Sequence, residues 1–396
     1  MSLGFPYGFY FLTTGAVLYL SEFGLYFVEI GQPASITGIT TRFFFLGALF
    51  IYVMGGLYRS IGFASGVLPR AKEFNELFIY IAIFFAYAFP SIFLLIQYQY
   101  GSPLINGWDR FYYARAIAPP SYSFIHASSI SMAAVISYAF YTKRLRKPAV
   151  TIWFLITLLG LILASEKYSG FFAIAIFWLP AMIILGRVQI ASIKSLAIAL
   201  AIIAILISLI LINYSYTLQT DAFAALLRRA ALQGQMSWAL DQLAEVGPAP
   251  INEVFASVVG WGVDLHEKGM IHLMYLIAPV DLVDRFVDGG VRFTSPFPSN
   301  LFYYFGYALA PLILCCIAAL PTLFFRVTRT ALLRDNFLFY FVAMKANMFV
   351  FSGIATGDLW QFFSTKFLIY CFILLIIPLG YYLIERKYAG VDAYAK

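Results

Sequence analysis

The sequence has few charged residues and few cysteines. Only 11% of its 396 residues are charged, whereas roughly a quarter are charged in a typical soluble domain, and 62% are hydrophobic, with mean hydropathy +0.84. These values exclude an ordinary soluble domain and indicate a polytopic membrane protein. The three cysteines, Cys315, Cys316 and Cys371, lie in apolar runs, and their spacing predicts neither a disulfide framework nor a zinc site.

Long apolar runs fill most of the chain. A spanning helix needs about 20 mostly apolar residues, and ten windows fit: 5–28, 40–58, 77–97, 121–141, 148–165, 169–186, 195–213, 299–324, 337–355 and 366–384. The first window lacks a basic start, so we expect it to remain as helix one rather than to be cleaved as a signal. The predicted fold class is an all-α polytopic membrane protein with about ten transmembrane helices.

Basic residues are distributed unevenly between the connections. Alternate connections and the C-terminal segment hold 15 of the 26 Lys and Arg residues but only five acids. The bases are Arg59, Arg70, Lys72, Lys143, Arg144, Arg146, Lys147, Arg187, Lys194, Arg326, Arg329, Arg334, Arg386, Lys387 and Lys396. By the positive-inside rule these connections and both termini are predicted to be cytoplasmic. The formal charge of +7 is therefore mostly a topology signal and does not indicate a nucleic-acid partner.

The windows divide the chain into three parts. Residues 1–213 are predicted to hold helices one to seven, residues 214–297 a large periplasmic loop, and residues 298–396 helices eight to ten with a cytoplasmic tail. Loops longer than about 15 residues are usually functional, and this one has 84. Seven spans before the loop and three after it are not the two matched halves of many transporters.

The outer loop contains a candidate amphipathic helix that starts near Thr220 and Asp221. Its polar side would present Arg228, Arg229, Gln233, Gln235, Ser237, Trp238 and Asp241. Guanidinium groups suit phosphate oxygens, and amides or an indole suit sugars, so the row could hold an anionic headgroup and a sugar. The open alternative is an ordinary interfacial helix that lies on the membrane surface.

Two of the three histidines, His266 and His272, also lie in this loop, together with Arg292. Neither an HxxxH nor an HExxH spacing is present, so no metal site is predicted. A proton-transfer or sugar-contact role for either histidine stays open.

A few charges fall within or at the edge of predicted spans. Glu22, Arg42 and Lys345 are functional candidates because charges are costly in lipid. The alternatives are an internal ion pair, such as Glu22 with Lys345 or Arg42, or snorkelling at a helix end. Other polar groups predicted on the outer side are Asp109, Arg110 and Arg115 in the loop 97–121 and Asp358, Trp360 and Gln361 between helices nine and ten.

A family resemblance rests on this architecture and on two segments, LLRRAALQGQMSW at 226–238 and PSNLFYYFG at 298–306. Together they resemble bacterial oligosaccharide repeat-unit polymerases of the Wzy type and their relatives the O-antigen ligases. The second segment looks like the point where the last outer loop re-enters the membrane in that superfamily. Two features depart from it: no outer-loop Arg begins an RX10G signature, and Ser299 precedes Asn300 where ligases typically have His.

The resemblance implies an integral-membrane, GT-C-like glycosyltransferase that joins undecaprenyl diphosphate-linked oligosaccharides into O-antigen or capsular polysaccharide. It would act at the periplasmic face of the bacterial inner membrane, without cofactor or metal, and with a chain-length regulator as a further partner. The implied base is His266 or His272. Residues for the diphosphate or the sugars would be Arg115, Arg228, Arg229, Gln233, Gln235, Trp238, Arg292, Asn300 and Lys345.

Other functions remain open from the sequence. The protein could be an O-antigen ligase or another lipid-linked sugar transferase, or a flippase for the same lipid-linked sugar. A flippase needs polar residues through the middle of its spans, whereas the polar residues here concentrate outside them. A membrane acyltransferase centred on His126 would lack a neighbouring acid in the sequence, and a purely structural role would leave the loop charges unexplained.

Overall fold

The structure is a computed structural model that describes residues 4–24, 26–27, 29–60, 72–166, 169–186, 208, 211, 221, 223, 232–293 and 296–376. Over these residues it is a helical membrane protein with one two-residue-per-strand hairpin. The elements of the first half are α1 (Phe5–Glu22), β1 (Tyr26–Phe27), β2 (Gln32–Pro33), α2 (Ile39–Ser60), α3 (Lys72–Tyr100), α4 (Pro103–Asn106), α5 (Arg110–Tyr112), α6 (Tyr122–Ser131), α7 (Ala133–Tyr141), α8 (Lys147–Leu163) and α9 (Ser169–Ile184).

The second half continues with short helices and then long ones. They are α10 (Gln235–Ala244), α11 (Ile251–Val258), a 3-10 turn (Leu265–Glu267), α12 (Gly269–Ile277), α13 (Val280–Gly289), α14 (Ser299–Leu333), α15 (Phe337–Thr356), a second 3-10 helix (Leu359–Phe363) and α16 (Thr365–Ile376).

Nine of the ten predicted windows coincide with helices, and the tenth, 195–213, lies almost wholly outside the described residues. Within the described part of the chain, five helical stretches are long and apolar enough to cross a membrane: Ile39–Ser60, Glu76–Asn106, Tyr122–Tyr141, Ser299–Leu333 and Phe337–Thr356. Helix one ends at Glu22, six residues earlier than predicted, because the chain turns there into the β1–β2 hairpin.

One compact unit consists of Met1–Ser60, Gln189–Thr322 and Phe349–Thr365. In it α1 packs on α2 through aromatic rings, with Phe11 lying 5.9 Å from Phe43 and 5.4 Å from Phe50 between ring centroids. Gly47 permits this approach, since a Cβ there would lie 2.9 Å from the Phe11 ring. The Tyr10 hydroxyl donates to the carbonyl of Phe297 at 2.7 Å and so fixes α1 to the chain just before α14.

Helix α14 is interrupted near its start. Gly306 has φ 71° and ψ 168°, a backbone conformation that is essentially restricted to glycine. The residues before the break, Ser299 to Tyr304, are buried, and the carbonyl of Tyr303 accepts a hydrogen bond from Ala249 N–H at 2.9 Å. The segment 298–306 is thus a short buried helical turn that ends at a break, and a long apolar helix follows it.

The other unit consists of Ile61–Val188, Leu323–Met348 and Lys366–Lys396. Its interior includes Trp153, whose indole N–H donates to the carbonyl of Ala86 at 2.8 Å and ties α8 to α3. Arg144, just after α7, bonds Glu76 at 2.5 Å and Asp335 at 3.1 Å. Both units are assembled from separated segments, and the division of the chain at 213 and 297 stays a prediction about membrane sides.

Candidate active site

A buried acidic group of the first unit is Asp358, which follows α15 after a single glycine. Its side chain is only 2% exposed. Glycine is needed on both sides of it: a Cβ at Gly357 (φ +67°) would lie 2.0 Å from Pro296, and one at Gly269 (φ +49°) would lie 2.0 Å from the carboxylate itself. The backbone therefore encloses the carboxylate without leaving room for another side chain.

The Asp358 carboxylate is held by donors from three segments. It accepts hydrogen bonds from Met270 N–H at 3.0 Å, from Arg292 Nη1 at 3.2 Å and from Gln361 Nε2 at 3.4 Å. Met270 lies in the first turn of α12, where backbone N–H groups have no partner within the helix. Burial raises the pKa of Asp358, although the Met270 and Arg292 donors oppose that shift.

Arg292 is the exposed partner of this pair. Its side chain is 44% exposed, and one terminal nitrogen is used on Asp358. Within the described residues its other guanidinium nitrogens make no hydrogen bond. A cation that is oriented by a buried carboxylate and open on its other edge can bind a phosphate oxygen by paired hydrogen bonds.

A second polar group includes His272, which lies in α12 two residues after Met270. His272 Nε2 is 2.9 Å from Glu253 Oε1, and the Tyr303 hydroxyl donates to that same oxygen. The two side chains are partly exposed, Glu253 to 27% and His272 to 16%. When Nε2 carries the proton that Glu253 accepts, Nδ1 keeps its lone pair and can act as a base.

The two groups are joined by the first turns of α14. Asn300 Nδ2 donates to the carbonyl of Gly357 at 2.9 Å, next to Asp358. Three residues later Tyr303 contacts Glu253, and Tyr304 lies 2.5 Å from Ser257 between their hydroxyl oxygens. Helix α12 contacts both groups as well, through Met270 and His272. The Arg292–Asp358 pair and the His272–Glu253 pair therefore share one rigid frame.

Comparisons with known proteins cover part of this frame. Residues 264–371 match DUF6418, described as a family of unknown function, and this is 108 of the 396 residues. The matched segment contains His272, Arg292, Asn300 and Asp358 but not Glu253. No curated protein and no solved structure matches the chain.

The polar row predicted around Trp238 is directed inward. Gln235, Trp238 and Asp241 in α10 are at most 2% exposed. The Gln235 amide bonds Glu29, and the Trp238 indole N–H donates to the carbonyl of Ser35 at 2.9 Å. The expectation that this face of the helix is presented to a sugar is corrected, because its hydrogen bonds are made to the segment between α1 and α2.

The remaining predicted residues of the amphipathic row divide into two groups. Arg228 and Arg229 lie outside the described residues, as does most of the predicted helix start. Gln233 is part of the turn before α10 and is partly exposed. Their proposed contacts with diphosphate or sugar stay predictions.

The other predicted histidine, His266, is exposed on the 3-10 turn before α12. Its Nδ1 lies 2.8 Å from the Tyr275 hydroxyl, which donates to Asp284. The hydrogen bond to Asp284 raises the pKa of Tyr275 to about 12, so that hydroxyl stays protonated near neutral pH. His266 is separated from Arg292 and Glu253 in this hydrogen-bond network, which makes His272 the better base.

Two charges at the span ends turn out to have structural partners. The Glu22 carboxylate accepts from the backbone N–H groups of Thr37 at 2.9 Å, Gly38 at 2.7 Å and Thr40 at 3.3 Å, and thereby caps the start of α2. Arg42 pairs with buried Asp241, with Nε at 3.1 Å from Oδ1, and not with Glu22 as one alternative had it. Both charges therefore stabilise the fold of this unit.

Lys345 and Arg115 lie in the second unit. The Lys345 ammonium lies over the rings of Phe177 and Phe341 at 5.9 Å and 5.8 Å from their centroids. Arg115 is exposed on a π-helical turn, Tyr113–Ile117. Lys345 is stabilised by cation–π contacts, and its role toward a diphosphate stays a prediction.

His126, also in the second unit, does have an acidic neighbour. Its Nε2 lies 3.7 Å from Glu166 Oε1, and Arg110 lies 3.1 Å from the other oxygen of the same carboxylate. This pairing could not be predicted from the sequence, because Glu166 follows α8, forty residues further along the chain.

Within the described residues no cluster of three or more His, Cys, Asp and Glu side chains could hold a metal ion. Sequence reasoning found His272, Arg292, Asn300 and the turn with Asp358, but it missed Glu253 and Tyr303 as partners. Glu253 was one of nine acids in the loop, and nothing in its local sequence separates it from the others.

Proposed function

We propose that the protein is a glycosyltransferase that joins undecaprenyl diphosphate-linked oligosaccharide repeat units into O-antigen or capsular polysaccharide. The observation that carries the proposal is the exposed guanidinium of Arg292, held by buried Asp358 on the same frame as the His272–Glu253 pair. Transfer from a lipid diphosphate requires a cation that binds the diphosphate and a base, oriented by a hydrogen bond, that accepts the proton of the acceptor hydroxyl.

The donor sugar leaves a diphosphate, and negative charge builds on that group as the bond breaks. Arg292 stabilises this charge by hydrogen bonds from the guanidinium edge that Asp358 does not use. Arg228 and Arg229 are proposed as further cations for the diphosphate, and Gln233 as a further polar contact.

The acceptor hydroxyl attacks the anomeric carbon of the donor. A new C–O bond forms to the acceptor, the C–O bond to diphosphate breaks with its electron pair, and the acceptor proton passes to His272 Nδ1. Glu253 stabilises the resulting imidazolium through Nε2. The lipid diphosphate is already an activated donor, so the step as written requires neither nucleotide nor metal.

We place this reaction at the periplasmic face of a bacterial inner membrane, in a multi-pass protein with both termini in the cytoplasm. The outer position follows from the distribution of Lys and Arg, since Arg292, His272 and Glu253 lie in the predicted outer loop and Asp358 lies in the predicted outer turn between helices nine and ten. A polysaccharide chain-length regulator is the proposed protein partner.

The test incubates purified protein in nanodiscs with a lipid diphosphate-linked repeat unit and no nucleotide, and resolves the products on a gel. A ladder that is lost in Arg292→Ala and retained in Arg285→Ala supports polymerisation at this site, because Arg285 is an exposed arginine of the same loop. With lipid A core added as acceptor, a single transfer to it would make the protein a ligase. With the protein reconstituted in liposomes instead, unchanged substrate that crosses the membrane would make it a flippase.

A further inference from the structure

Trp261, in the turn between α11 and the 3-10 helix Leu265–Glu267, is exposed and yet held in one orientation. It is 63% exposed, and its indole N–H donates to the carbonyl of Phe363 at 3.1 Å. A large aromatic ring on a loop usually gains by being buried. Here the hydrogen bond fixes the edge of the ring while its face stays open.

The neighbouring residues keep the space beside this ring clear. Gly260 and Gly262, on either side of Trp261, have φ of +66° and +72°. A Cβ at Gly262 would meet no heavy atom within 4 Å. Two exposed carboxylates, Asp264 and Glu267, follow in the same segment, together with the exposed side chain of Leu265.

The ring is attached to the turn that holds the Arg292–Asp358 pair. Phe363 is the last residue of the 3-10 helix that begins directly after Asp358. With a rise of roughly 2.0 Å per residue, the five steps along the chain from Asp358 to Phe363 cover about 10 Å. The exposed indole therefore lies within reach of an oligosaccharide whose diphosphate is bound at Arg292.

We propose that Trp261 is a stacking platform for a sugar ring of the lipid-linked oligosaccharide. This inference rests on the proposed function and names a saccharide subsite next to its diphosphate site. The indole face packs against the CH groups of a pyranose, and Asp264 and Glu267 supply acceptors for its hydroxyls.

The main rival occupant of such a ring is the bilayer surface. Interfacial tryptophans place their polar N–H in the wet headgroup zone and their apolar end in the lipid. The N–H of Trp261 is already used by the carbonyl of Phe363 and is not available to a headgroup, and two exposed carboxylates follow in the same segment. A saccharide fits this arrangement better than a lipid.

The experiment compares Trp261→Ala, Trp261→Phe and the control Phe255→Ala in nanodiscs. Phe255 is a matched residue because it is 61% exposed on α11 of the same unit. Trp261→Ala should raise the KM for lipid-linked repeat unit about 2- to 13-fold, the range expected for one aromatic stacking contact, with little change in kcat. Trp261→Phe should recover part of the loss, and Phe255→Ala should behave as wild type.

Binding is measured separately with the repeat-unit oligosaccharide released from its lipid by mild acid, by tryptophan fluorescence. Wild type should show a saturable change that Trp261→Phe abolishes, and brominated lipids should quench the two proteins equally. Stronger quenching of wild type than of Trp261→Phe, with unchanged KM, would overturn the platform in favour of a membrane anchor. Failure of the proposed function is distinct: wild type would then give no ladder, whatever residue 261 is.

Discussion

Tyr303 and Tyr307 lie on opposite sides of the break in α14, and both donate their hydroxyls to acids of the segment before it, Glu253 and Asp241. Tyr303 bonds Glu253, the partner of His272, and Tyr307 lies 3.2 Å from Asp241, the partner of Arg42. The break at Gly306 thus lies between a contact of the proposed base and a contact that fixes α10.

Gly306→Ala should destabilise the protein and reduce its activity. At φ 71° and ψ 168° a side chain costs about 1 to 3 kcal/mol, and relief of that strain would displace Tyr303 from Glu253. Gly55→Ala is the control, because Gly55 is an ordinary helical glycine of α2 with open space around it. Unfolding in mixed micelles and polymer yield are the measurements. Equal stability for both variants would contradict the role of the break.

Arg292→Ala should lower kcat by about 10²-fold, the cost of removing one donor to a developing anion. Arg292→Lys should recover only part of this, because an ammonium cannot bond the carboxylate and a phosphate with the same planar edge. Single-turnover kinetics with lipid-linked repeat unit measure the effect. A loss confined to thermal stability, with normal turnover of the folded fraction, would reduce Arg292 to a structural partner of Asp358.

His272→Ala should cost about 10²- to 10⁴-fold in turnover, as expected for a lost general base. Glu253→Gln should cost less, because the amide oxygen can still accept the Nε2 proton but carries no charge to stabilise the imidazolium. His266→Ala is the matched control and should retain activity. Additive losses in the His272→Ala, Glu253→Gln double variant would show that the two residues do not act as a unit.

Arg42→Ala should destabilise the protein by about 3 kcal/mol, since it leaves the fully buried carboxylate of Asp241 without its ion-pair partner. The double variant Arg42→Met, Asp241→Leu should recover most of that loss. A double-mutant cycle of unfolding free energies in mixed micelles measures the coupling. A coupling energy near zero would mean that the pair is screened by solvent.

The buried Asp358 predicts a pH dependence of stability. Burial raises the folded-state pKa of Asp358 above the usual value of about 3.9, which we take for the unfolded chain. At pH values between the unfolded-state and folded-state pKa, the folded protein therefore keeps a proton on Asp358 that the unfolded chain has lost. The contribution of Asp358 to the free energy of unfolding is fully present below its unfolded-state pKa and is lost as the pH rises through its folded-state pKa. The Tm of wild type relative to Asp358→Asn should therefore fall as pH rises from 4. The raised pKa of Asp241 is common to both proteins and cancels in the difference.

Much of the helical architecture could be predicted from the sequence. Apolar windows locate helices because a span of fixed thickness demands a fixed length of apolar chain, and the helices over 39–60 and 337–356 match their windows closely. The end of helix one could not be predicted, since Tyr26 and Phe27 are as apolar as a span and only their pairing with Gln32 and Pro33 reveals a hairpin.

The candidate site was predicted less completely, because its partners come from distant segments. His272 and Arg292 stand out in the sequence as polar residues of a long loop that was predicted to lie outside. The residues that orient them, Glu253 and Asp358, are 19 and 66 positions away, and no periodicity connects them. The prediction that Trp238 faces a sugar failed for a related reason. A polar row on a helix can face either solvent or a polar backbone segment, and the Trp238 indole N–H donates to the backbone carbonyl of Ser35.

The distance along the chain between paired residues also affects how the protein is made. Arg42 and Asp241 are 199 positions apart, and Tyr10 and Phe297 are 287 apart. At about 5 to 20 residues per second, the ribosome needs roughly 10 to 40 s after Arg42 to reach its carboxylate. During that interval the guanidinium of Arg42 has no carboxylate partner, and the Tyr10 hydroxyl has no carbonyl of Phe297 to donate to, so the contacts that hold α1 and α2 to the rest of the unit form only late in synthesis.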